Sequence, residues 1–291
     1  MTKPKILIQL DGDDHASVFD AVVAVDSDID HLFQYRSVQP EQVRDLVHGA
    51  MFTRGPQDLH NTAVFIGGAN VAQGESLLRA TADCFFGPMR VSVMLDANGA
   101  NTTAAAAVLA AARHVDLSQS EALVLAGTGP VGQRAVRLLA RAGCKVRVAS
   151  RSVDRAAATC EQVRGKVDGA LLTPLATSNS QETAKALEGA NVVVAAGAAG
   201  IELLSAETRA ACSSLRVAVD LNAVPPLGIG GVGVTDKAVD QNGVVCYGAI
   251  GVGGTKMKIH KAAIKKLFVA NNLVLDAEEI FEIGRELEAA S

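Results

Sequence analysis

The chain has 291 residues, enough for two medium domains, and at 49 % hydrophobic but 3 % aromatic with no Trp its core must be aliphatic. A net charge of -4 argues against a nucleic-acid or membrane-surface partner, because phosphate binding needs a basic face. Five widely spaced cysteines form no paired motif, which speaks against a disulfide framework and for reduced thiols in the cytoplasm.

The first apolar run, residues 6–10, is too short for a signal peptide and reads as a strand. Residues 18–25 are an apolar stretch of helix. Pro40 opens a surface helix over 39–47. A strand over 63–66 ends in Gly67-Gly68, an amphipathic helix runs to about Cys84, and 91–95 is another strand. This alternation predicts an N-terminal α/β domain over residues 1–100. The Ala-rich segment 102–114 reads as a bridging helix, too short to span a bilayer and stiff enough to connect two domains.

From residue 122 the pattern becomes regular. Strands are expected at 122–126, 145–149, 169–173, 192–195 and 216–220, with helices at 131–142, 153–163 and 181–187 between them. Apolar strands alternating with helices require a parallel sheet covered on both faces. The fold class is α/β: an N-terminal domain and a Rossmann-type doubly wound domain over 101–275. A helix over 256–268 and another opened by Asp276 complete the chain, and residues 276–290 are expected to pack back on the N-terminal domain.

Gly127-Thr128-Gly129-Pro130-Val131-Gly132 follows a predicted strand and opens a predicted helix. Gly127 permits the tight turn, Gly129 lets backbone N–H groups reach a pyrophosphate, and Gly132 lets helix pack on strand. The helix N-terminus adds its dipole, and Pro130 has no N–H to lose there. Alone such a motif is weak; its βαβ setting makes it a dinucleotide site. About 20 residues on, where a carboxylate would hold the ribose of NAD, stand Ser150-Arg151-Ser152 and then Arg155. A hydroxyl and guanidinium groups suit a 2′-phosphate, so NADP is favoured over NAD. The alternative is that Arg151 is a solvated helix-start residue and either cofactor serves. Ala196-Gly197, after a later strand, leaves room for the cofactor's central portion, or is a plain tight turn.

These residues sit beside segments that resemble the NAD(P)-dependent methylene-tetrahydromethanopterin dehydrogenase family of methylotrophic bacteria. The segments are Val18-Phe-Asp-Ala-Val-Val, Phe85-Phe-Gly-Pro, and Leu95-Asp-Ala-Asn-Gly-Ala-Asn-Thr-Thr103. Beyond the Gly127–Gly132 loop come Asn222-Ala-Val-Pro-Pro-Leu-Gly-Ile-Gly-Gly231 and Gly248-Ala-Ile-Gly-Val-Gly-Gly-Thr-Lys-Met-Lys-Ile-His260. The resemblance implies a cleft between the two domains that holds a reduced pterin, and hydride transfer from methylene-tetrahydromethanopterin to NADP. It also implies a homo-oligomer, a trimer in the family pattern, and some relatives accept methylene-tetrahydrofolate.

The methylene carbon is flanked by two nitrogens whose lone pairs stabilise the cation left behind, so the hydride step needs neither a base nor a metal. The six histidines show no close pairing of the kind a metal site uses. Orientation and exclusion of water should supply most of the catalysis. By resemblance Lys256 faces the pterin, following a Gly-rich turn at a helix start. A positive charge beside a forming cation would oppose the reaction, so Lys256 is assigned to positioning, with Asp20 as the offsetting carboxylate. The bland readings are a surface lysine and a structural carboxylate. Asn98 and Thr102 are expected to contact the pterin, with Asn101 capping the bridging helix. Asn222 is either a substrate contact or a turn former. The lysines at 256, 258, 261, 265 and 266, with His260, make the helix locally basic and read as a solvated helix face, or as a seat for an acidic arm of the pterin. Two other functions compete: a shikimate- or glutamyl-tRNA-reductase-like NADP oxidoreductase, which would want an acid/base pair, and a non-catalytic NADP-binding sensor.

Overall fold

The computed structural model of the chain describes residues 3–290. The chain divides into two compact units, one running to Thr102 and resuming at Met257, the other spanning Thr103–Lys256. In the first, β1 (Ile6–Leu10), α1 (Val18–Val25), β2 (His31–Tyr35), α2 (Val43–Phe52), β3 (Thr62–Ile66), α3 (Val71–Asp83) and β4 (Ser92–Leu95) follow in order, and α4 (Ala100–Ala112) begins. β1 and β3 are apolar and buried along nearly their whole length, as strands of a parallel sheet must be. β2, His31–Tyr35, is largely exposed and mixes polar with aromatic residues, so it carries no sequence signal. It is an edge strand, held by parallel pairing to β1.

The second unit begins in α4. It contains β5 (Glu121–Leu125), α5 (Pro130–Arg141), β6 (Lys145–Ser150), α6 (Val153–Arg164), β7 (Leu172–Ala176), α7 (Ser180–Leu187), β8 (Val192–Ala195), α8 (Ala206–Ala211) and β9 (Val217–Asp220). A hairpin of β10 (Lys237–Gln241) and β11 (Val244–Tyr247) follows, and then the long α9 (Ala249–Lys266). The seven-stranded sheet has the order β10-β11-β9-β8-β5-β6-β7, parallel except for the antiparallel β10. The order reverses at β5 and β8, which pair directly. An aliphatic core of Leu123, Val193, Leu204, Ala218 and Ile229 lies on one face, in keeping with the scarcity of aromatics. β7 lies three residues later than the spacing predicts and contains Pro174, so alternation was a poor guide there.

The chain ends in β12 (Val274–Leu275) and α10 (Ala277–Ala289). The expected boundary at 275 is corrected: residues 257–275 belong with the first unit. The reason is physical. β12 pairs in parallel with β4 and completes a five-stranded sheet of order β12-β4-β3-β1-β2. The C-terminal half of α9 packs there too, with His260 stacked on Phe65 of β3 and Lys261 paired to Asp26.

Cys144, Cys160 and Cys246 are buried, and burial pushes their thiols up, that of Cys144 to about 12. At pH 8 these three should stay unalkylated by iodoacetamide in the native protein and react once it is unfolded, as read by peptide mass spectrometry. The folded state keeps the Cys144 proton above the ordinary value of 9.0, where the unfolded thiol ionises. Stability should therefore fall as pH rises from that value towards 12.

Candidate active site

At the switch point of the second unit, β5 ends in Ala126, whose φ of 53° lies in the left-handed region. That conformation is costly for a residue with a Cβ, and such outliers gather where a loop is built for a ligand. Gly127 follows. A Cβ on Gly132 would stand 2.5 Å from the Ala126 carbonyl oxygen and 2.8 Å from Gly127 Cα, so α5 can pack this close only with glycine. Gly129, the N-cap of α5, has no side chain to engage the first-turn N–H groups. A Cβ there would meet nothing nearer than 3.4 Å, and the second neighbour is the carbonyl of Ala196 at the end of β8. A helix N-terminus whose capping residue carries no side chain fits a pyrophosphate. The loop around Gly127, Thr128, Gly129, Pro130, Val131 and Gly132 and the Ala196-Gly197 turn thus lie at the ends of adjacent strands.

β6 ends at Ser150, whose hydroxyl lies 3.5 Å from the Thr128 hydroxyl and accepts from Ser152 N. Ser152 caps α6 by accepting from Arg155 N, which fixes the turn. Arg151, just before the N-cap Ser152, and Arg155, on the first turn of α6, are both exposed; that turn also carries Asp154, and β6 itself ends in Ser150 rather than in a carboxylate. This donor set fits a 2′-phosphate.

The loops after β8 and β9 are laced together. Leu203 N and Leu204 N both donate to Gly228 O, Gly230 N donates to Leu204 O, and Gly200 N donates to Val224 O. Asp220, at the end of β9, is 1 % exposed and accepts from Asn222 N and Ile229 N. Burial pushes its carboxyl up while these backbone donors and Gly228 pull it down. Asn222 is buried, its amide donating to Pro226 O and its carbonyl oxygen accepting from Val224 N. It is engaged within its own loop.

The first unit has its own reversal, between β1 and β3. There Asp11 is buried and accepts from Asp13 N and Ser17 N, while Asp13 accepts from Ala69 N. The Ser17 hydroxyl caps α1 by accepting from Asp20 N. A Cβ on Gly67 would lie 3.2 Å from a carboxylate oxygen of Asp20, which places Asp20 at the strand end beside β3. Asn98, after β4, is exposed, takes a φ of 54°, and donates its N–H to Gly68 O. The structure therefore brings Asp20 and Asn98 to one carboxyl edge, where open α/β sheets bind their ligands.

Three expectations change. The helix cap at α4 is Asp96, which accepts from Asn101 N, Thr102 N and the Thr102 hydroxyl. Asn101 instead donates to Leu95 O and Asp276. Thr102 is fully buried, so its hydroxyl braces the helix start and has no surface to offer a ligand. Lys256 does not start a helix: Gly251, Gly253 and Gly254 already lie within α9, and Lys256 is half-buried in its middle.

Other groups left no sequence signal. His260, read as part of a basic face, is fully buried, with Nδ1 3.9 Å from an oxygen of Asp96. Its basic neighbours Lys261, Lys265 and Lys266 pair with Asp26, Asp28 and Glu286. The left-handed φ angles of Ala126 and Asn98 were equally invisible. Among the described residues no group of three or more His, Cys, Asp or Glu is placed to hold a metal, and no helix is long and apolar enough to cross a membrane.

The family model described as methylene-tetrahydromethanopterin dehydrogenase, N-terminal, matches residues 18–98. The chain is 44% identical over 287 residues to bifunctional protein MdtA of Methylorubrum extorquens, covering 97% of this chain and 99% of that protein. It is 30% identical over 290 residues to the NAD(P)-dependent methylenetetrahydromethanopterin dehydrogenase of the same organism, covering 94% and 95%. The chain belongs to the methylene-tetrahydromethanopterin dehydrogenase family. As a member it is an oxidoreductase of the hydride-transferring kind. The shikimate / quinate 5-dehydrogenase model matches residues 108–227, inside the second unit. Quinate dehydrogenase from Corynebacterium glutamicum, solved in complex with NAD, superposes with a TM-score of 0.55 at 12% identity over 97% of this chain and 99% of that one. That likeness is one of fold, and it bears out the two-domain α/β expectation.

Proposed function

We propose that the chain oxidises methylene-tetrahydromethanopterin, passing the methylene hydride to NADP and releasing the methenyl form. The full-length likeness to a relative of that name carries this reading. The cofactor reading is supported by the bare N-cap at Gly129 and by Ser150, Arg151 and Arg155. Bound NADP supplies the hydride acceptor at its nicotinamide. The protein's task is orientation, because the two nitrogens beside the methylene carbon stabilise the cation without proton removal. Asn98 hydrogen-bonds the pterin ring, and Lys256 orients the pterin through a carbonyl oxygen. Asp20 supplies the negative charge that a forming cation favours. Thr102 and Asn222 act through the braces in which they are engaged.

The enzyme works in the cytoplasm, a setting that five free thiols suit. It assembles as a homotrimer: α1 exposes Val18, Val22 and Val25 along one stripe, and β2 exposes Phe33 and Tyr35. Light scattering should return three chains per particle.

The deciding test is an absorbance assay with methylene-tetrahydromethanopterin and NADP or NAD, with methylene-tetrahydrofolate in parallel. Rapid NADPH formation with the methanopterin substrate is the expected result. NADP binding with no turnover of either pterin would leave the sensor as the better reading. Arg151→Ala should raise the Kd for NADP about tenfold or more and leave that for NAD nearly unchanged, since a charge-assisted contact to the 2′-phosphate is lost. Equal weakening of both would remove Arg151 from the phosphate site.

A further inference from the structure

The half of the sheet formed by β8 and β9 is assigned no ligand by its motifs beyond Ala196-Gly197. A doubly wound sheet binds a dinucleotide across its switch point, one half to each nucleotide. With the 2′-phosphate placed at Ser150 and Arg151 on the β6 side, the nicotinamide nucleotide falls to the ends of β8 and β9. What stands there is a pair of loops with apolar tips: Ile201 and Val224 are each about half exposed, with Ala198 and Ala199 exposed beside Ile201. Large apolar side chains left bare on loop tips suit the face of a flat ring better than they suit water.

These tips have little packing of their own. They are held by the lacing described above, which converges on Gly228 and its neighbours except for the Gly200 N to Val224 O bond that ties the two tips directly. Leu203 N and Leu204 N reach Gly228 O, and Leu204 bridges to Ile229. Asp220 holds that point from below, through Ile229 N, and holds the start of the loop through Asn222 N. Its carboxylate is so close that a Cβ on Gly228 would lie 2.6 Å from Oδ1 and 3.3 Å from the Cβ of Ala195. A buried carboxylate is expensive to keep, and among the described residues no ion pair joins this one to a cation; its donors are the loop's own N–H groups. A neutral residue could have served a plain turn.

We propose that Asp220 is a positioning residue: its carboxylate locks the loops after β8 and β9 into the seat of the nicotinamide half of the cofactor. The inference rests on the NADP reading above. Asp220 touches neither cofactor nor substrate. Its effect reaches the reaction by fixing where the nicotinamide ring lies, so it should act on the transfer step and on the affinity that the ring itself contributes.

The test compares two ligands on Asp220→Asn and on Gly228→Ala, which crowds the same carboxylate without changing charge. One ligand is NADP; the other is 2′-phospho-ADP-ribose, the same molecule without nicotinamide. Both variants should bind 2′-phospho-ADP-ribose as the wild type does, while the ratio of the two Kd values shrinks about tenfold. In turnover, kcat should fall about 10- to 100-fold with little change in the KM for the pterin. The deuterium isotope effect on kcat, measured with a dideuterated methylene group, should rise as hydride transfer becomes limiting. A carboxylate that only holds the fold would weaken both ligands in parallel and leave the ratio and the isotope effect unmoved, which overturns the proposal. If Asp220→Asn does not fold, Gly228→Ala carries the comparison. Failure of the wild type to oxidise a methylene-pterin would refute the substrate reading alone, because the binding ratio reads Asp220 without any pterin present.

Discussion

Lys256→Ala is expected to lower kcat about 100-fold while leaving the Kd for NADP within about twofold, the signature of lost substrate orientation rather than lost cofactor binding. Lys256 sits in the middle of α9, an 18-residue helix, so its backbone is fixed and only the side chain varies. Alanine is the better helix former, so the substitution leaves the helix intact. The lysines further along serve as the control. Lys261 and Lys265 pair with Asp26 and Asp28 at the surface, so Lys261→Ala should change stability by less than about 1 kcal/mol and kcat hardly at all. Steady-state kinetics on both variants, with melting curves alongside, decide the matter. Unchanged kcat in Lys256→Ala would reduce that residue to a surface lysine.

Gly132→Val should abolish cofactor binding and loosen the second unit together. The first atom of any side chain at 132 meets the Ala126 carbonyl oxygen and Gly127 Cα, both backbone, so no neighbouring side chain can swing aside. α5 must move off the loop, which removes its N-terminus from the pyrophosphate. Overpacking of this kind costs about 1–3 kcal/mol, or a Tm lower by about 3–10 °C, and the Kd for NADP should rise by more than about 100-fold. Gly129→Ala separates the two effects. Its Cβ has room in the protein, so Tm should hold while binding of NADP weakens, because the methyl occupies ground the pyrophosphate needs. Equal Tm losses in both variants, by calorimetry, would contradict the division of roles between the two glycines.

The nucleotide unit was largely legible because parallel strands buried on both faces have to be apolar runs, as Val192–Ala195 and Val217–Asp220 are. The glycine loop was legible because backbone contact demands residue types that nothing else demands. β2 was not, since an exposed edge strand answers to no pattern, and the β10–β11 hairpin was hidden by polar residues on its outer strand. β12 is two residues long and exists only because β4 offers it a partner. At the site, Asp20 came from a charge argument about Lys256 and Asn98 from its place ahead of the bridging helix, and the structure sets both at one sheet edge. The engagement of Thr102 by Asp96 and of Asn222 by its own loop is set by residues 6 and 4 positions away, acting through backbone geometry that composition does not encode.

The split of the first unit has a bearing on synthesis. The sheet that opens with Ile6 lacks its last strand until Val274 and Leu275 have been made, while Thr103–Lys256 is by then complete. During translation the unit made first is thus the one finished last, and the free edge of β4 waits exposed through the whole time the other unit is produced. A chain stalled after residue 256 should present a folded nucleotide-binding unit joined to an open sheet, the form in which aggregation or chaperone capture would begin.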